Sequence, residues 1–218
     1  MRANLIRDRL HYQHGLRWLR RRDATLDTVV DRWGDPPMWL RRPGFSALLH
    51  IILEQQVSLA SARAVMQKLR AQVPRVTPAH LLALSDAQLK QAGFSRQKAR
   101  YARVLAQAII DGTLALHRLH TRATATARAE LTSITGIGPW TANVYLLMAL
   151  KHRDIWPRGD LALRVAMREL YAAELERIAD QLPTVPDEDD VQQSFAQRWQ
   201  PWRSLAVRVC WLHYLRRS

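Results

Sequence analysis

Helix stops and helix starts recur along this chain at helix-length spacing, and almost nothing else punctuates it. Leu26, Val29, Val30 and Trp33 fall at i, i+3, i+4 and i+7, one face of a helix. Gly34 ends that helix and Pro36-Pro37 prevents its continuation. The strongly apolar segment 45–57 predicts a second helix. Ser58 is placed to cap a third, with Ala62, Val65, Met66 and Leu69 inward. Thr77-Pro78 is a cap followed by proline in the first turn. Ser85 opens a short helix closed by Gly93, and Ser95 opens a long one stopped by Gly112. Helices are predicted at 126–133, 139–150 and 160–171, and two more within 194–217, the final one opened by Pro201. Residues 182–190 read as an acidic, proline-containing linker into a negatively charged helix start. No β-type alternation stands out, so the expected fold is all-α.

The charge is extreme. The 218 residues carry a formal net charge of +14, with a pI near 11.2. Polyphosphate suits such an excess, because neutralising phosphates releases condensed counterions. Lysine occurs only at 68, 90, 98 and 151, and the other 29 of the 33 basic residues are arginine. Arginine grips phosphate bidentately and stacks on bases, although codon composition produces the same bias. The single cysteine, Cys210, excludes an intrachain disulfide and a Cys-only iron–sulfur cluster. No apolar run approaches the roughly 20 residues a membrane span needs, and no signal-type segment is seen at the start. A cytoplasmic protein with no membrane partner is expected, and nucleic acid is the partner its charge favours over a ribosomal-type or membrane-surface role.

Segment 131–160, LTSITGIGPWTANVYLLMALKHRDIWPRGD, carries the chemistry. Gly136 and Gly138 permit a tight turn and close approach by another backbone. Pro139 opens a helix whose N-terminal amides and dipole favour an anion. A plain turn between two helices is the bland reading. Asp160, after Gly159 and before a helix, is equally an ordinary N-cap. A carboxylate near a phosphate-binding hairpin is electrostatically costly, however, and cleavage of a base–sugar bond would justify it. That transition state is oxocarbenium-like and gains from a nearby anion.

These residues carry a resemblance. GIGPWTAN followed by WPRGD, with ILEQQVSLASA at 52–62, GFSRQKARY at 93–101 and RWQPWRSLA at 198–206, resembles the helix-hairpin-helix, Gly/Pro–Asp superfamily of DNA base-excision glycosylases. It is most similar to the 3-methyladenine glycosylase II branch, over roughly residues 25 to 212. The resemblance implies one domain over 1–218 in two helical lobes, about 44–140 and about 1–43 plus 141–218, with the hairpin at the cleft between them. It implies Asp160 as the catalytic aspartate and Trp140 and Trp211 as walls of a flipped-base pocket. Gly136, Ile137, Gly138 and Thr141 would hold the DNA backbone. Gln56 and Arg96 would be wedge or plug elements. The carbonyls of Thr132, Ile134 and Gly136 would hold Na+ or K+, with no other cofactor required.

Strand-cutting members carry a lysine near the hairpin's end; this chain has Trp140 there, so no Schiff-base nucleophile is expected. Val144 and Leu161 stand where a relative places tyrosines. The resemblance implies a DNA-associated monomer whose activity is monofunctional excision of alkylated purines from damaged double-stranded DNA in base-excision repair. A glycosylase for another damaged or mismatched base, and a non-catalytic helix-hairpin-helix DNA-binding module, are the alternatives.

The remaining candidates have structural readings. Trp33, Trp39, Trp156, Trp199 and Trp202 read as packing, His50 as a core histidine, Glu54 as an arginine partner and Cys210 as a small buried hydrophobe.

Overall fold

The computed structural model describes residues 4–182 and 186–217. Its helices are, in chain order, α1 (Arg9–Arg20), α2 (Ala24–Trp33), α3 (Phe45–Glu54), α4 (Leu59–Gln72), α5 (Pro78–Leu82), α6 (Asp86–Gln91), α7 (Arg96–Ile110), α8 (Thr124–Thr132), α9 (Pro139–Met148), α10 (Leu161–Ala179), α11 (Glu188–Phe195) and α12 (Arg203–Arg216). Two 3-10 turns, Leu116–Thr121 and Ala196–Trp199, complete the order. The fold is all-α, with one isolated bridge, Leu5 to His152, among the described residues. None of the described helices is long and apolar enough to cross a membrane.

The chain divides into two compact units, one formed by Leu40–Leu150 and the other by the stretches up to Trp39 and from Lys151 onward. The break therefore falls after Leu150 rather than at 140. Helix α9 belongs wholly to the first unit because it packs on α3 and α8.

In the first unit α3 is the central rod. Phe45, Ala47, Leu48, Leu49, Ile51, Ile52 and Leu53 are all buried, against α4, α7 and α9. Helix α9 is buried from Thr141 to Leu147, the pattern of a helix enclosed on all sides. Ser58, Thr77, Ser85 and Ser95 each accept a main-chain N–H from the first turn they open. Helix α3 stops at Glu54, short of the expected 57. Lys98 Nζ donates to Leu53 O at 2.5 Å, closing the helix end with a cation at the negative pole. Burial holds the Lys98 ammonium below its ordinary pKa. Glu54 pairs with Arg41 at 2.6 Å, as an arginine partner should.

In the second unit Asp23 caps α2 and also accepts Tyr171 Oη at 2.9 Å and Trp199 Nε1 at 2.8 Å. Tyr171, Phe195 and Trp199 form one aromatic cluster. Trp156, Trp199 and Trp202 are buried as packing residues, and Cys210 is fully enclosed. Trp33 and Trp39 are half-buried. Tyr171 leaves helical geometry (φ −139°, ψ 26°), so the expected end at 171 is a kink, and α10 resumes to Ala179. The expectation that Pro201 opens the last helix is corrected. Pro201 lies before the N-cap Trp202, and α11 ends at Phe195 in the 3-10 turn. Part of the acidic linker, 183–185, lies outside the described residues. Arg20 is tied to Asp27 and Asp31, so one member of the 20–22 arginine run is structural.

Candidate active site and nucleic-acid interface

The hairpin between α8 and α9 is held from inside. Ile134 and Ile137 are buried at 6% and 3% exposure, and Ile137 N donates to Ile134 O at 3.0 Å. Gly136 has φ +94°, and a Cβ there would lie 2.3 Å from Tyr101 Cγ. Glycine is needed twice over at this position, for the backbone angle and for the ring beneath it. Gln55 Nε2 donates to Gly136 O and to Thr141 Oγ1, each at 2.9 Å. One amide at the end of α3 thus clamps the turn to the first turn of α9.

Gly138 is a different case. Its φ is −83°, it has nothing within 4 Å of an added Cβ, and it is exposed. Neither turn geometry nor packing requires a glycine there. What its missing side chain provides is an open approach to the start of α9, where Pro139 occupies the first turn and no side chain caps the helix.

Two of the expected backbone-binding residues are restricted. Ile137 is buried, and Thr141 is 1% exposed with its hydroxyl bound to Gln55. Their side chains serve the hairpin, so any contact with DNA comes from their main chain. The carbonyls of Ile134 and Gly136 already accept hydrogen bonds from Ile137 N and Gln55 Nε2. A carbonyl has two lone pairs, so these hydrogen bonds leave each of the two oxygens one lone pair. No cluster of three or more His, Cys, Asp or Glu suited to a metal occurs among the described residues.

Gln55 and Tyr101 were not picked out from the sequence. The doubled amide in EQQVS is a faint signal, and the sequence does not say which of Gln55 and Gln56 turns inward. Gln56 is exposed with φ +56°, in the connection between α3 and α4. Val57 and Leu59 beside it are 45% and 47% exposed. Arg96 is exposed in the first turn of α7. These placements leave both accessible. Trp140, in the first turn of α9, is half-buried.

Removing the clamp is expected to be costly. Gln55→Ala leaves Gly136 O and Thr141 Oγ1 without that donor, a loss of about 1–3 kcal/mol for partly buried groups. Chemical denaturation of the variant measures it, and unchanged stability would contradict the clamp.

In the second unit, loop 151–160 delivers Asp160. Ile155, Trp156 and Pro157 are buried. Ser204 Oγ donates to His152 O at 2.7 Å and accepts Ile155 N at 3.0 Å. Arg203 grips Asp154 with two hydrogen bonds of 2.7 and 2.9 Å. Arg158 reaches Asp187 and Asp190 at 2.6 Å each, fastening the loop to the start of α11. Gly159 turns at φ +81°. Asp160 is then the N-cap of α10, 7% exposed, with Oδ1 accepting Leu163 N at 2.8 Å. The same oxygen accepts Trp211 Nε1 at 3.0 Å. Trp211, from α12, is half-buried and meets Trp39 edge-on at 6.2 Å. Asp160 and Trp211 are therefore brought together, although 51 residues separate them. Leu161, next to Asp160, is 62% exposed, whereas Val144 is 3% exposed inside α9 and is spent on packing.

Both halves of the expected arrangement are present, a glycine hairpin opening a helix and a buried aspartate capping another. The HhH-GPD superfamily of base excision DNA repair proteins matches residues 49–201, a span that includes both. This chain belongs to that superfamily. The family is one of DNA glycosylases. The chain is 28% identical over 202 residues to DNA-3-methyladenine glycosylase 2 of Escherichia coli, covering 84% of this chain and 64% of the relative. It thus spans under two thirds of that relative's length.

Among solved structures, the 3-methyladenine DNA glycosylase Mag1 of Schizosaccharomyces pombe, in complex with abasic DNA, shares the fold. Its TM-score is 0.77 at 21% identity, over 91% of this chain and 95% of Mag1. The 8-oxoguanine glycosylase/lyase of Clostridium acetobutylicum shares the fold too, with TM-score 0.75 at 18% identity, over 99% of this chain and 73% of that one.

Proposed function

We infer that this HhH-GPD protein is a monofunctional DNA glycosylase that hydrolyses the N-glycosidic bond of alkylated purines, of the 3-methyladenine or 7-methylguanine type, in duplex DNA. One observation carries the reading: a buried carboxylate, Asp160, is aligned by an indole in a chain of net charge +14. A helix cap alone has no need of Trp211.

In the proposed reaction the damaged nucleotide is turned out of the duplex. The C1′–N bond breaks, with its electron pair leaving on the purine. The Asp160 carboxylate stabilises the positive charge developing on the sugar. Water adds its oxygen to C1′, and its proton passes to Asp160 or solvent. The products are free base and an abasic site. Trp140 and Trp211 are proposed to line the base pocket, where stacking a cationic methylated purine on indole gains about 0.5–2 kcal/mol. A neutral normal base gains less and is a poorer leaving group.

The main chain from Gly136 to Thr141 is proposed to hold the DNA backbone through the open start of α9. A monovalent cation on the carbonyls of Thr132, Ile134 and Gly136 would add positive charge there. Gln56 and Arg96 are proposed to enter or support the gap left in the duplex. The absence of lysine from the hairpin favours water over a Schiff base, and Lys98 is occupied with the end of α3.

Two outcomes test the reading. On a panel of single-lesion duplexes, alkylpurines are expected to be released, with strand breaks appearing only after alkali. Borohydride should trap no covalent adduct. Release of an oxidised or deaminated base in preference, or a trapped adduct, would overturn the substrate class or the monofunctional mechanism.

Gly138→Ala tests the backbone contact separately. Its geometry accepts alanine, so stability should stay within about 1 kcal/mol, while DNA binding weakens about tenfold. Unchanged affinity would remove Gly138 from the interface. Affinity should also fall steeply with salt; neutralising three phosphates implies about a 40-fold loss for a fourfold rise in salt.

A further inference from the structure

A concavity of about 570 Å³ opens in the second unit, and neither Asp160 nor Trp211 lines it. Its wall comes from α1, from the loop at Arg153 and from the Pro201-Trp202 step. Arg7, Arg153, His11 and His14 line it, with Trp18 and Trp202 as its aromatic surface. One carboxylate, Asp8, faces this group, and it already accepts His11 N as the cap of α1.

The cluster is electrostatically unbalanced. Arg153 stands 5.2 Å from the Trp202 ring centroid, and its Nε is buried without a hydrogen-bond partner among the described residues. An orphaned guanidinium nitrogen is expensive and asks for an acceptor. His11 Nδ1 accepts Arg7 N at 3.3 Å, which leaves Nε2 as the protonated nitrogen of a neutral ring. The His11 pKa lies below the ordinary value, chiefly through burial, then through Arg7 and Arg153; Asp8 opposes this and His14 adds to it. Every polar group in the hollow other than Asp8 can therefore donate a hydrogen bond.

We propose that this hollow is a binding site for a phosphate monoester. Such a group is close to dianionic at neutral pH and offers three strong acceptor oxygens. Two guanidiniums and an imidazole N–H complement it. A volume of this size accommodates a ligand no larger than a nucleotide. The ester could belong to a free nucleotide or to a 5′-phosphorylated strand end, and the chemistry recognised is the same. None of the residues assigned to base excision lines the hollow, so phosphate binding there does not depend on the glycosylase reading.

The test is NMR titration of the full-length protein, following the His11 and His14 ring signals at constant ionic strength. The probes are inorganic phosphate, a nucleoside 5′-monophosphate, and short oligonucleotides with 5′-phosphate or 5′-hydroxyl. Saturable shifts with phosphate and the monophosphate are expected, and Arg153→Gln should weaken them at least tenfold. Arg7→Gln, at an exposed position, should do the same without perturbing the fold. Preference for the phosphorylated over the hydroxyl oligonucleotide identifies a strand end as a source, and preference for the monophosphate over both identifies a free nucleotide. Shifts reproduced equally by chloride, or unchanged in Arg7→Gln, would overturn the site.

Discussion

Gly136→Ala is expected to destabilise the protein by about 2–6 kcal/mol, the largest loss of stability from any single methyl group in the hairpin. Two separate costs add. The backbone sits at φ +94°, where an L side chain is strained by about 1–3 kcal/mol. The new Cβ would also fall 2.3 Å from Tyr101 Cγ, an overlap that costs about 1–3 kcal/mol once the ring shifts. Against a total stability of about 5–15 kcal/mol, this threatens the native state, and at about 2–4 °C per kcal/mol it is plain in a thermal melt. Adding Tyr101→Ala removes the ring contacts but keeps the Tyr101 Cβ position, 2.7 Å from the new methyl, and the backbone strain, so the double variant should recover only part of the loss. Full recovery would show that neither the positive φ nor the remaining Cβ contact costs stability; no loss in Gly136→Ala alone would contradict the tight seat of the turn on Tyr101. Gly138→Ala, two residues on, is the matched control, because its Cβ meets open space.

Asp160→Asn is expected to separate structure from chemistry. Asparagine caps helices about as well as aspartate. Its amide oxygen can accept both Leu163 N and Trp211 Nε1, the two hydrogen bonds now made by Oδ1. Stability should therefore change by less than about 1 kcal/mol. The negative charge is lost, and with it both stabilisation of the sugar cation and the base for water. Excision should fall by about 10²–10⁴-fold. Affinity for undamaged duplex should hold or improve, since one anion is removed from a basic protein. Asp160→Ala would be a poorer test, because it also removes the cap and strands the indole donor.

The fold was readable where its determinants are local. Ser58, Thr77, Ser85 and Ser95 start helices through bonds to residues three positions on, a relation written directly in sequence. Where a distant residue decides, the reading failed. The apolar run at 45–57 does not reveal that Lys98 ends the helix at Glu54. Nothing within 160–171 reveals that the chain kinks at Tyr171 and resumes.

The candidate site shows the same division. Gly136 was legible as a turn glycine, but its reason also lies in Tyr101, 35 residues away, and in Gln55. Ile137 and Thr141 looked available to DNA because motif position does not reveal burial, and their side chains prove to be internal. Trp211 was placed near Asp160 by resemblance alone, and the indole–carboxylate bond is a tertiary fact with no local signature.

Single-turnover release of methylpurine from a methylated duplex, with protein in excess and DNA fully bound, probes the chemistry assigned to Asp160 most directly. The wild-type chain should liberate free 3-methyladenine or 7-methylguanine and leave alkali-labile sites, while Asp160→Asn binds the same DNA and releases almost nothing. Equal release by both proteins, or none by the wild type under full occupancy, would contradict it.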